Sequence, residues 1–348
     1  MPIRRLAPAQ ALRRIADSFS SCHTMRRHFL RALPALALAM TSLAAQAQPY
    51  PSQPVRIVVP YSPGGSSDVL ARAIGDELGK ALGQAVIVDN RPGAGSMLGT
   101  QFVAGEKADG HTLLLADVPF AIVPALYRER ARYNVERDFA PVALLGVSPA
   151  YLFVNADAPQ RSAAEFVQAA KAAPATISIG SGGNGSLTHM MAELFMGSTG
   201  AQLVHVPYKG AGAAITDLAA GQIQSGFTTM ASASGLYRAG KLRALAVTSP
   251  ERQKDTPDVP TFAERGIANM TVQSWWGLVV PAGTSAEVRQ RLSDAMRQVM
   301  QVPAVRARFA TAGVDVPADT GAAALQKYVQ EDLARWREVV QRADIRIQ

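Results

Sequence analysis

Cysteine is almost absent from this 348-residue chain, where Cys22 stands alone. A single thiol excludes an intramolecular disulfide framework and any zinc site built on paired cysteines. Histidine is scarce as well, with five in the whole chain and no H-x-x-x-H pair. No G-x-S-x-G nucleophile elbow and no G-x-x-x-x-G-K-[ST] loop occurs, so the familiar signatures of metalloproteases, α/β-hydrolases and P-loop nucleotide enzymes are all missing. Charged residues are sparse at 18% and aromatic ones at 6%, but 48% of the chain is hydrophobic, enough for a sizeable core and too much for wholesale disorder.

The chain is formally basic, at +8. That surplus is not spread over a surface that nucleic acid would recognise. Residues 1–47 hold seven arginines against one acid, Asp17, which leaves only +2 for everything that follows. A non-specific phosphate-binding surface needs several clustered cations, so no nucleic-acid partner is expected. Met25-Arg26-Arg27-His28-Phe29-Leu30-Arg31 is a basic stretch that leads into an uncharged run, Ala32 to Ala45, and then Ala45-Gln46-Ala47. This is the three-part layout of a secretory signal peptide over residues 1–47, with cleavage expected after Ala47. The apolar run is too short for the ~20 residues of a spanning helix. Met25 is an alternative start, and the paired arginines leave both the general and the twin-arginine export routes open. Cys22 lies in the removed segment. No second long apolar stretch follows, so the mature chain is expected to be soluble and periplasmic.

Beyond Pro51 strand-like and helix-like segments alternate. Val55–Val59 reads as a buried strand, and Val69, Leu70, Ala73, Ile74, Leu78 and Leu82 recur at helical spacing. The alternation continues through Val86–Val88, Ala94–Ala104 and Thr112–Ala116. It returns at Ile177–Ile179, Ser186–Met196, Leu203–Val206, Ala211–Ala219, Ile223–Thr228 and Leu242–Val247. Strands separated by helices predict an α/β fold with mostly parallel sheets. Two long extended segments, Val142–Val154 and Thr271–Val280, break the rhythm and bracket the central block. They are expected to carry the chain between two lobes: residues 48–146 with 275–348 form the first, residues 147–274 the second. Two amphipathic C-terminal helices rejoin the first lobe, and Trp275 and Trp276 sit in the return strand. Two crossing strands make a hinge beside a cleft.

The strongest chemical signal is a pair of glycine-rich loops, each between a strand and a helix: Pro60–Asp68 and Gly180–His189. Glycines let a backbone approach a ligand closely, and a helix N-terminus offers unpaired N–H groups with partial positive charge. Both loops suit a carboxylate, and neither contains Lys or Arg, so the backbone would supply most donors. Read singly, each could also be an ordinary strand-to-helix turn. Gly93-Ala94-Gly95-Ser96-Met97-Leu98-Gly99 has the spacing G-x-G-x-x-x-G, which departs from the dinucleotide fingerprint.

At these loops the sequence resembles the Bug family, the TctC-like extracytoplasmic solute receptors of tripartite tricarboxylate transporters. The resemblance rests on Pro60–Asp68, Asp89–Gly95, Asp109–Leu114, Gly180–His189, His205–Gly210, Gly240–Thr248 and Asp258–Thr261. It implies a two-lobed periplasmic-binding fold that closes on a small organic carboxylate and uses no cofactor and no metal. Carried over by position, the first-lobe contacts come from Tyr61, Ser62, Gly64, Gly65, Ser66 and Asp68. Those of the second lobe come from Ser181, Gly182, Ser186, His189, Tyr208 and Gly210. The loops after Ala116 and Phe227 are expected to shape the distal end of the pocket. There the sequence departs from its relatives: Asp117-Val118-Pro119-Phe120 replaces small polar residues, and Thr228 stands where they usually carry Asp. The missing acid argues against a cationic ligand, and Phe120 suggests an apolar tail.

The resulting expectation is a monomeric, non-catalytic receptor that hands a carboxylate to membrane permease subunits. A ligand-bound sensory partner of a histidine kinase, or an enzyme on the same scaffold, are the alternatives.

Overall fold

The computed structural model describes residues 50–127 and 130–342; the expected signal peptide lies outside them. Strand β1 (Val55–Val59) is a β-branched run buried on both faces, and pairs in parallel with β2 (Val86–Asn90) and β3 (Thr112–Asp117). Helix α1 (Ser66–Leu82) crosses between β1 and β2. It buries Leu70, Ala73, Ile74, Leu78 and Leu82 of the stripe read from the sequence, leaves Val69 half-buried, and ends on Gly83, whose φ of 76° suits only a residue free of a Cβ clash. The expected helix at Ala94–Ala104 is split: Ala94–Ser96 is a 3₁₀ turn, with Gly95 at φ 62° and Ser96 at φ 93°, before α2 (Met97–Ala104) begins. Helix α3 (Pro119–Tyr127) and the short α4 (Val135–Asp138) lead into the long strand β4 (Phe139–Asn155).

The second parallel set follows α5 (Ala163–Ala172). It comprises β5 (Ser178–Ser181), α6 (Leu187–Thr199), β6 (Val204–Pro207), α7 (Ala211–Ala219) and β7 (Ser225–Thr229), with β5 between β6 and β7. Helix α8 (Met230–Arg238) and strand β8 (Leu242–Val247) complete it. The chain returns as β9 (Gln273–Pro281) and ends in α9 (Ala286–Val299), α10 (Pro303–Thr311) and α11 (Ala322–Arg342).

Among the described residues the strands form one nine-stranded sheet in the order β2-β1-β3-β9-β4-β7-β5-β6, with β8 also on β4. The long strands are the antiparallel ones. β9 pairs antiparallel with β3 and with β4 from Phe139 to Pro149, whereas β4 from Ala150 to Asn155 pairs antiparallel with β7 and β8. One strand thus belongs to both halves of the molecule, and its partners change between Pro149 and Ala150. Thr248 fastens this point. Its backbone N–H donates to Ala150 O (2.9 Å), while its buried hydroxyl accepts from Ala150 N (2.9 Å) and donates to Val272 O (2.6 Å). Outgoing and returning chains are therefore stitched together by one side chain.

Helix α11 covers the first half, anchored where the Trp275 indole N–H donates to Asp332 Oδ2 at 2.7 Å. No helix among the described residues is long and apolar enough to cross a membrane.

Candidate functional site

The ends of β1, β3, β5 and β7 converge on a cavity, where ligands of open α/β sheets usually sit. It holds about 570 Å³ of atom-free space, open solvent at its mouth included, and about 70 Å³ of it admits the centres of water molecules. That is the room of several waters, at ~10–15 Å³ for each, or of one compact organic acid.

The first glycine loop is shaped by its own carboxylate. Gly64 turns at φ 86° and donates its N–H to Asp68 Oδ2 at 2.9 Å. Asp68 is also held by the Arg72 guanidinium and by Asn90 Nδ2 (3.0 Å), which bonds Tyr61 O as well. Burial pushes the Asp68 carboxyl up, but the bonds from Arg72, Gly64 and Asn90 outweigh it and hold it below its ordinary value. Asp68 is thus a brace behind the loop. Gly65, Ser66 and Ser67 line the cavity with the first turn of α1.

The second loop is folded by bonds of its own. Gly182 N donates to Thr188 Oγ1 (2.8 Å), Gly183 N to Ser181 Oγ (3.1 Å) and Gly185 N to His189 Nδ1 (3.2 Å). Ser186 caps α6 by accepting from His189 N at 3.2 Å. Several of the glycine N–H groups expected to meet a ligand are therefore already engaged. The N–H groups of Ser66, Ser67, Leu187 and Thr188 remain, first-turn donors with no intrahelical acceptor. All four residues line the cavity. Ala211, first residue of α7, joins them, so three helix N-termini meet one enclosed space. No Lys or Arg is among the lining residues.

The rest of the wall comes from elements far apart in sequence: Asp117 at the end of β3 with Val118 and Pro119 after it, Thr228 and Thr229 on β7, Ala150 on β4, Met191 on α6, and Ser274, Trp275 and Trp276 on β9. Asp117 accepts from the Tyr61 hydroxyl (3.0 Å) and from Ser67 Oγ (3.2 Å); Ser67 in turn accepts from Trp276 Nε1 (3.1 Å). Burial pushes the Asp117 carboxyl up to about 7, against the pull of those two bonds. Burial, and then the neighbouring Asp117, push the Tyr61 phenol well above its usual value, so Tyr61 stays a donor.

Of the twelve residues assigned by position, Tyr61, Gly65, Ser66, Gly182 and Ser186 line the cavity, and the other seven are not among its lining residues. Ser62 N donates to Lys209 O at 2.9 Å, and Gly210, at φ 145°, lets the two loops approach. Gly64 and Asp68 set the first loop. Ser181 Oγ meets His205 Nε2 at 2.6 Å, and the His189 ring stacks on His205 with centroids 4.2 Å apart. Tyr208 donates to Asp217 Oδ2 (2.8 Å) and faces an adjoining cavity, of about 920 Å³ atom-free space, with Arg130 and Lys209.

Phe120 corrects the expectation of an apolar tail. It is 2% exposed, 5.0 Å from the Phe139 ring and stacked on Tyr133, in the core. Residues that sequence reasoning missed as lining include Ser67, Thr188, Met191 and Ser274. Trp275 and Trp276 are expected in the return strand, and both line the cavity, the Trp276 indole bonding Ser67 there while that of Trp275 turns to Asp332 on α11.

The halves touch around the cavity. Besides Ser62 to Lys209, Ser66 Oγ lies 2.8 Å from both Thr229 Oγ1 and Ser232 Oγ, and the Tyr127 hydroxyl donates to Asn184 O at 2.9 Å. These contacts describe a closed arrangement.

With this geometry in view, comparison with known proteins is informative. Residues 70–345 match the tripartite tricarboxylate transporter family receptor. Protein BugT of Bordetella pertussis is 34% identical over 315 residues, 89% of this chain and 96% of BugT. Among solved structures, MatC from Rhodopseudomonas palustris with bound malate is 31% identical, with a TM-score of 0.81 over 84% of this chain and all of that one. Rpa4515 of R. palustris with adipate is 30% identical, with a TM-score of 0.81 over 85% of this chain and 99% of its own. Similarity of this extent in both sequence and fold means that the chain belongs to the tripartite tricarboxylate transporter receptor family, the Bug proteins.

Proposed function

We propose that this protein is a periplasmic receptor that captures one small organic carboxylate between two lobes and delivers it to membrane permease subunits. The lobes are those expected from the sequence, residues 48–146 with 275–348 and residues 147–274, and the mature chain begins after cleavage at Ala47. The observation that carries the reading is the convergence of the N-termini of α1 and α6 on a single cavity whose lining has no Lys or Arg. A carboxylate there meets partial positive charge and free N–H donors from both halves. Family members that hold malate and adipate support it.

Micromolar affinity requires about −8 kcal/mol after an association cost of roughly 4–15 kcal/mol. Charge-assisted bonds contribute about 1.5–3 kcal/mol each, so several must form, and donors from both lobes are needed. The five cavity-lining residues assigned by position are read as ligand contacts, and the other seven as supports that shape the loops. The protein acts by binding and release as a monomer, so the bound acid is recovered chemically unchanged.

Thermal-shift screening against mono- and dicarboxylates tests the reading. A true ligand at ~100 Kd stabilises by about 2.7 kcal/mol. A panel in which no carboxylate raises the Tm would refute it.

A further inference from the structure

The acid expected at position 228 is a threonine, but the cavity is not without a carboxylate. Asp117, the last residue of β3, lines the same cavity as Thr228. Its exposure is intermediate, and it lines the cavity. Each of its oxygens accepts one protein donor, Oδ1 from Tyr61 and Oδ2 from Ser67. The Ser67 hydrogen is committed to Asp117, because Ser67 Oγ is itself the acceptor for Trp276 Nε1. A carboxylate has about four acceptor sites, so what Asp117 has left to offer the cavity is acceptor capacity. No lining Lys or Arg competes for it. A second anion placed there would face a like charge in a partly desolvated space, which disfavours it. An ammonium or hydroxyl group would complete the acceptor set instead.

We propose that Asp117 is a specificity-determining residue: it admits carboxylates that carry a hydrogen-bond donor, ammonium or hydroxyl, within its reach, and it rejects those that place a second carboxylate there. The inference rests on the cavity being the carboxylate site. It sets this chain apart from relatives that hold dicarboxylates. The shared Ser67 contact keeps Asp117 close to the first turn of α1, so the donor sits near the carboxylate rather than at the end of a long chain.

The titratable groups that face Asp117 are Tyr61, from the end of β1, and Tyr133, before α4; both are phenols that burial keeps neutral. Deprotonation of Asp117 therefore governs the pH dependence. With the carboxyl near 7, donor-bearing ligands bind more tightly as pH rises from about 6 to 8, and dicarboxylates more weakly.

The test is calorimetric titration of the wild type and Asp117→Asn at about pH 6 and pH 8. The probes are straight-chain acids from acetate to hexanoate, unsubstituted, hydroxylated or aminated at each carbon in turn, or bearing a second carboxylate. In the wild type at the higher pH, at least one donor-bearing acid is expected to bind ~tenfold or more tightly than its unsubstituted and dicarboxylate counterparts, a difference of 1.4 kcal/mol or more. An amino arm stronger than the hydroxyl arm identifies an ammonium ligand, and the reverse a hydroxy acid. Asp117→Asn keeps an acceptor for Tyr61 and is expected to lose the preference and gain dicarboxylate affinity. A dicarboxylate that binds the wild type best at the higher pH, with no pH dependence of opposite sign in the two classes, overturns the inference alone and needs no variant. Preferences unchanged in folded Asp117→Asn do the same. Failure of every probe to bind overturns the carboxylate site, and this inference with it.

Discussion

Small residues decide how closely the two halves approach. A Cβ on Gly212, at the start of α7, would fall 2.7 Å from Gly64 C and 2.8 Å from Gly65 N, closer than side chains sit to backbone. Gly212→Ala should therefore oppose closure while leaving each half intact. The expected outcome is a ligand affinity reduced ~tenfold or more, about 1.4 kcal/mol, with an unliganded Tm within a degree or two of wild type. Calorimetry and a melt check both parts. A Cβ on Gly65 would meet only Gly212 N at 3.6 Å and Ser62 O at 4.0 Å, an ordinary contact, so the approach of the two halves depends on Gly212 rather than on Gly65. The loops themselves were legible because glycine and serine runs between a strand and a helix have a physical meaning. Which of their residues face the ligand was not, because that depends on bonds within the loop, such as Gly64 to Asp68 and Gly185 to His189.

At the scale of elements, periodicity carried far where one face is buried. β1, α7 and β8 run as read, and α1 buries the expected stripe. α3 was hidden by Pro119 and Pro124 and by an apolar character all round that leaves no amphipathic period. α8, with the sequence MASASGLYR, reads as a small-residue loop and is helical through its packing. β4 exceeds its expected span because it serves two sheet halves in succession, a property of pairing rather than of composition. Thr248 was legible only as part of a family motif, yet it joins β4 to the returning chain. Thr248→Val keeps the shape and strands two buried backbone groups, Ala150 N–H and Val272 C=O. Each such group costs about 1–3 kcal/mol, so a loss of about 2–6 kcal/mol is expected. Urea unfolding should show a lower midpoint at unchanged m-value; an unchanged midpoint would remove Thr248 from the joint.

For the whole molecule, the account joins a strand order to a function. β3, β7 and β9 lie far apart in sequence, and their pairing sets Asp117, Thr228 and Trp276 around the helix N-termini. The closed contacts, from Ser62 to Lys209 and from Tyr127 to Asn184, narrow the space between the halves, and a weak donor counts for more where less water competes with it. A cationic alternative lies next door, in the adjoining cavity with Arg130 and Lys209, and an anion drawn by formal charge alone would settle there. The measurement that separates these is a crystal structure with the carboxylate that raises the Tm most. The account predicts carboxylate oxygens within hydrogen-bond distance of N–H groups from both the Ser66–Ser67 and the Leu187–Thr188 turns. A ligand seated instead on Arg130 and Lys209, with those turns untouched, would contradict it.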